Sequence, residues 1–103
     1  MMKDKFVVIS AVGPERDASR GTREQPFWDE HAAFIDALVE RGFILMGGPL
    51  ADESGLHCGA LLIVNAKDQN EVRDTLKNDP WFRRGILTLK SINRWEVFID
   101  TRR

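Results

Sequence analysis

Phe43-Ile44-Leu45-Met46-Gly47-Gly48 and Ala60-Leu61-Leu62-Ile63-Val64 are apolar, β-rich runs separated by a turn region, Leu50 to Leu56, that holds Asp52, Glu53, Ser54 and Gly55. Two such runs around a short polar turn predict a pair of strands, and a β-hairpin is the simplest connection. Working outward, Pro26 to Arg41 reads as a helix. Phe27, Phe34, Ile35 and Leu38 recur on one stripe, Pro26 suits a first helical position, Asp29 and Glu30 lie near the positive end, and Gly42 supplies the stop. Before it come a polar loop, Glu15 to Glu24, and a first strand, Phe6 to Val12, closed by Gly13-Pro14. After the second run, Asp68 followed by Glu71 has the form of a capping box. Val72 and Leu76 give that helix an inner face and Pro80 limits it, so it spans Asp68 to Asn78. A final strand runs from Ile86 to Ile99.

The order is therefore βαββαβ, an α+β chain of ferredoxin-like type with a four-stranded antiparallel sheet and two helices on one face. At 103 residues, without repeat or linker, the chain reads as a single domain over 1–103. Phe6 to Val12, Phe43 to Met46 and Ala60 to Val64 are apolar at odd and even positions alike, not in the alternation of a sheet with one wet face. Two helices cover only one face, so the pattern predicts a homodimer packed through the open sheet face.

Composition excludes several classes. Fifteen Lys and Arg against 16 Asp and Glu give a net charge of -1, which argues against a phosphate-backbone partner. RNA-recognition modules share the strand order but display aromatics on central strands, and Ala60 to Val64 has none, so no nucleic acid is expected. One cysteine precludes an internal disulfide. No apolar run approaches the roughly 20 residues of a membrane span, and Met1-Met2-Lys3-Asp4-Lys5 leads into a strand, so a cytoplasmic protein without a membrane partner is expected.

His31 stands on the apolar stripe of the first helix, so its imidazole points inward. Asp79 stands in Asn78-Asp79-Pro80-Trp81 at the end of the second helix, where the dipole disfavours a carboxylate. In a βαββαβ fold the end of the second helix lies near the start of the first. The pair forms a candidate acid/base dyad, in which the carboxylate fixes the tautomer of the imidazole and stabilises the imidazolium. The plainer readings are a core histidine bonded to a backbone carbonyl and an Asx turn that ends the helix.

The inward His31, the Gly42 to Leu50 segment Gly-Phe-Ile-Leu-Met-Gly-Gly-Pro-Leu, and Asp79-Pro80-Trp81 together resemble the YCII-related proteins, from about Phe6 to Ile99. That resemblance implies a dimeric α/β barrel of ferredoxin-like type, with the family's candidate active-site pair falling on His31 and Asp79. Some relatives resemble enzymes that remove halide from chlorinated hydroxyquinones; most have no assigned reaction. The long first loop, with Arg16, Arg20 and Arg23 among acids, departs from the family pattern.

The function expected is that of a small enzyme, lyase or hydrolase in type, acting on a small organic substrate, with a noncatalytic ligand-binding or sensing protein of the same fold as the alternative. The expected substrate-binding residues are Arg20, Gly48, Pro49 and Trp81. Arg20 and Arg23 offer charge to an anionic group or belong to a solvated loop, Gly48 and Pro49 admit a ligand close to the backbone or merely end a strand, and Trp81 walls a pocket or anchors a loop. Cys58 is expected to be buried as a small hydrophobe and His57 to lie on the surface. Two histidines and one cysteine without short-range pairing predict no metal site, and nothing calls for haem or another cofactor.

Overall fold

The computed structural model describes residues 3–102, so the reading of Met1 and Met2 lies outside them. The elements are β1 (Asp4–Val12), α1 (Trp28–Glu40), β2 (Ile44–Ala51), β3 (His57–Ala66), α2 (Gln69–Leu76), α3 (Pro80–Arg83) and β4 (Leu87–Trp95), with a 3-10 turn at Thr22–Glu24. The four strands form one antiparallel sheet in the order β2-β3-β1-β4, the ferredoxin-like arrangement. Among the described residues no helix is long and apolar enough to cross a membrane.

The core lies on one face of this sheet. Phe6 and Val8 of β1 stand opposite Val64 and Leu62 of β3, and their side chains meet Phe34 and Leu38 of α1 and Val72 and Leu76 of α2. α2 begins as its sequence requires. The Asp68 carboxylate accepts the Glu71 N–H at 2.8 Å while the Glu71 carboxylate accepts the Lys67 N–H at 2.8 Å, so two donors of the helix start find partners.

On the other face, Val7 and Ile9 oppose Ile63 and Leu61, and Met46 lies beside Ile63 with 53% of its surface exposed. β4 differs: Asn93, Ser91 and Thr88 are its residues on that face. The doubly apolar character is thus confined to β1, β3 and the start of β2.

Boundaries moved where tertiary pairing overrides local signals. β2 runs on through Pro49 because it is an edge strand, where a missing N–H leaves no ladder bond unmade. β4 stops at Trp95, four residues short of the expected end, because Trp95 pairs with Lys5 near the start of β1 and the chain beyond has no strand to follow. Phe98 and Ile99 are consequently 90% and 85% exposed. α3 is an addition, a single helical turn that the expected stop at Pro80 had concealed.

One tether fixes the long first loop to this frame. Gly13 N–H donates to the Ile86 carbonyl at 2.8 Å and Glu15 N–H to the Gly85 carbonyl at 2.9 Å. A Cβ at Gly13 would overlap the Gly85 carbonyl oxygen, so the backbones can approach this closely only without a side chain. Gly13→Ala is expected to cost about 2 kcal/mol or more by forcing the two segments apart, read as a lowered midpoint in thermal or urea unfolding.

Candidate active site

His31 lies in the first turn of α1, and its N–H closes that turn on the Phe27 carbonyl at 2.9 Å. Phe27 is the only described non-glycine residue with positive φ, at φ 64° and ψ 22°. The left-handed conformation is costly for an aromatic residue and is held here by its surroundings. The Arg84 guanidinium sits 4.4 Å from the Phe27 ring centroid, and the following residue begins the helix that carries His31.

Asp79 owes its place to Pro80. The residue before a proline is kept out of helical geometry, and Asp79 is extended, at φ -62° and ψ 128°. Pro80 then opens α3, and the Asp79 carboxylate caps it by accepting the Trp81 N–H at 2.9 Å. The carboxylate expected at the unfavourable end of one helix is therefore the N-cap of the next.

His31 and Asp79 meet. Nδ1 lies 2.9 Å from both carboxylate oxygens, with Asp79 fully buried and the His31 side chain 13% exposed. An ionised carboxylate can only accept, so in a neutral imidazole this contact calls for the proton on Nδ1 and leaves the lone pair on Nε2. Trp81 lies parallel to the imidazole, 3.8 Å between centroids and 4° between planes, and its Nε1 donates to the Pro26 carbonyl at 2.8 Å. Trp81 both anchors the loop and walls the site. No described buried side-chain nitrogen or oxygen lacks a partner, and His31 has no hydrogen bond at Nε2, so that atom is open to the space beyond.

That space is a cavity of about 430 Å³ between α1 and the sheet. His31, Ile35 and Val39, one helical row, form one side, and Ala60 and Leu62 belong to the other. Gly48 and Pro49 stand in the wall. The volume suits a small organic molecule, and the lining is mainly apolar with few polar groups, the usual character of such sites.

Three expectations about single residues need correction. Arg20 is outside the wall: it is exposed, pairs with Asp17 at 3.3 Å and donates to the Glu24 carbonyl at 3.4 Å, while Arg16 and Arg23 of the same loop line the cavity. His57 is not a surface residue but is half-buried in the wall, its Nδ1 2.5 Å from Thr22 Oγ1. Cys58 is exposed rather than buried, because its position at the irregular end of the β2–β3 pairing carries it outward.

The loop that brings Arg16 to the wall is organised by Gln25, which is 3% exposed. Its Nε2 donates to the carbonyls of Asp17, Arg20 and Gly21 at 2.8, 3.0 and 3.3 Å, and its Oε1 accepts the Asp17 N–H at 2.9 Å. The Ser19 hydroxyl and N–H on Asp17 hold that carboxyl below the ordinary carboxylate range. Gln25→Ala leaves these backbone groups unpaired and is expected to cost about 1–3 kcal/mol, with faster proteolysis within 15–24 as the specific sign.

The solved structure of 5-chloro-2-hydroxyhydroquinone dehydrochlorinase from Burkholderia phenoliruptrix AC1100, in complex with 2,5-dihydroxybenzoquinone, is similar, with a TM-score of 0.58 and 24% sequence identity over 88% of this chain and 93% of that one. The likeness establishes a shared fold. No curated protein sequence matches the chain. The model of the YCII-related domain matches residues 5–96, from the first strand to just past the last, and the chain belongs to the family of YCII-related domains.

Proposed function

We propose that the protein is a small-molecule enzyme of lyase type, with His31 as general base and Asp79 as the group that orients it. The observation that carries this reading is the pairing of Nδ1 with a fully buried carboxylate while Nε2 stays open to a cavity. In elimination, Nε2 takes a proton from an acidic carbon or a conjugated hydroxyl of the substrate's keto tautomer, in which the carbon that bears the leaving group is tetrahedral. The electron pair left behind expels an anion such as chloride, and Asp79 stabilises the imidazolium formed. The apolar lining limits water, which strengthens these interactions. Trp81 stacks on the imidazole and keeps it in one orientation.

The similar solved structure is of a dehydrochlorinase, which supports chlorinated hydroxyquinols as first substrates to test. Chloride release from 5-chloro-2-hydroxyhydroquinone and related halogenated hydroxyquinols, followed with a chloride electrode, is expected with wild-type protein and absent with His31→Gln. Saturable binding with no release by either protein would favour a noncatalytic ligand binder.

The working form in this reading is a homodimer through the bare sheet face, supported by Val7, Ile9, Leu61, Ile63 and Met46, which no helix covers. The dyad lies on the helix-covered face, so a second copy would back the sheet rather than roof the cavity. Sedimentation at low micromolar concentration is expected to give a dimer, and a monomer would refute this assembly.

A further inference from the structure

The cavity wall has a second polar group besides the dyad, built from the long first loop and the start of β3. Arg16 is set by the tether of Glu15 to Gly85 and by its own N–H on the Gly13 carbonyl at 3.2 Å. Its guanidinium donates to the His57 carbonyl at 3.2 Å and to Thr22 Oγ1 at 3.4 Å, and Thr22 Oγ1 is 2.5 Å from His57 Nδ1. Arg16, Thr22 and His57 are all half-buried, and all three line the cavity.

The charge of this wall is not balanced. Among the described residues the ion pairs are Arg20 with Asp17, His31 with Asp79, Lys77 with Asp74, and Arg102 with Asp100; neither Arg16 nor Arg23 belongs to one. Asp79 is the one acid in the lining, and its oxygens already accept from His31 and the Trp81 N–H. A guanidinium has five N–H donors, so two bonds to neutral oxygens leave Arg16 with donors to spare. A cation in a mainly apolar recess is costly until an anion meets it. Arg23, exposed near the Trp28 ring at 5.9 Å, adds a second positive charge at the wall.

We infer that Arg16, with His57 joined to it through Thr22, is an oxyanion subsite, and that the ligand is a small ring compound with an acidic oxygen, a carboxylate, phenolate or enolate. This rests on the lyase reading for its catalytic consequence alone. As His31 takes a proton, the negative charge that develops on the substrate oxygen is held by Arg16, a favourable use of a fixed charge in a cavity with little water.

The test uses 2,5-dihydroxybenzoquinone, whose ring hydroxyls are vinylogous acids, and its dimethyl ether, which has no acidic oxygen, in calorimetric titrations at neutral pH. Wild-type protein is expected to prefer the acid at least tenfold, about 1.4 kcal/mol. Arg16→Gln should remove that preference by weakening the acid and leaving the ether unchanged, and Arg16→Lys, which keeps the charge without the fork, should fall between them. Equal binding of acid and ether by the wild type, or an undiminished preference in a folded Arg16→Gln or Arg16→Lys protein, overturns the subsite. His31→Gln separates the two claims. If it loses chloride release while Arg16→Gln keeps the preference, the subsite fails and the base stands; if the wild type turns nothing over yet Arg16→Gln loses the preference, the subsite stands and the lyase reading fails.

Discussion

Replacing His31 by glutamine is expected to lower turnover by about 10²- to 10⁴-fold, the range of a lost general acid or base. Glutamine fills much the same space and can still meet Asp79, so the α1 start and the Trp81 contact should persist. It has no nitrogen able to take a proton near neutral pH. The loss should therefore appear in kcat, with KM changed little if chemistry is slow relative to substrate dissociation. Binding of 2,5-dihydroxybenzoquinone within a few-fold of wild type would show that the cavity survives. Unchanged chloride release by a folded His31→Gln protein would remove His31 from the chemistry.

Asp79→Ala should be the most destabilising change of the set. The fully buried carboxylate serves His31 Nδ1 and the Trp81 N–H at once, so its removal unpairs two donors and uncaps α3. A lost cap is worth about 1 kcal/mol and a buried donor without a partner about 1–3 kcal/mol, so a total of about 2–4 kcal/mol is expected. The desolvation of the carboxylate in the wild type offsets part of this and sets the upper limit. For a domain of this size each kcal/mol moves the melting midpoint by about 4–8 °C, so calorimetry should show a fall of about 8–32 °C. Asp79→Asn keeps an oxygen to cap Trp81 and should lose about half as much stability. Because the amide need not hold the Nδ1–H tautomer, its turnover should fall nonetheless.

The pairing of His31 with Asp79 was legible because each broke a local rule and the strand order brought the two helix ends together. The role of Asp79 as an N-cap was less visible. Asn78-Asp79-Pro80 signals a helix end, and the four residues of α3 are too few for a periodicity of their own. The placement of His57 and Arg16 was hidden for another reason. His57 reaches the wall because Ala51 pairs with it after a register shift in the β2–β3 hairpin, a feature the polar turn sequence does not encode locally. Arg16 depends on Gln25, whose four hydrogen bonds are made to backbone groups that composition cannot single out. Arg20 was the natural choice by charge, and Asp17, three residues away, draws it outward. The bare sheet face was visible in the doubly apolar strands, although β4 turned out to alternate.

The tautomer of His31 is the most direct measure of whether Asp79 prepares it as a base. In ¹⁵N-labelled protein, long-range ¹H–¹⁵N correlation from the His31 ring carbons at neutral pH should show a protonated Nδ1 and an unprotonated, pyridine-like Nε2, the latter shifted when 2,5-dihydroxybenzoquinone is added. A His31 ring with its proton on Nε2, and no response of that nitrogen to the quinone, would contradict the account.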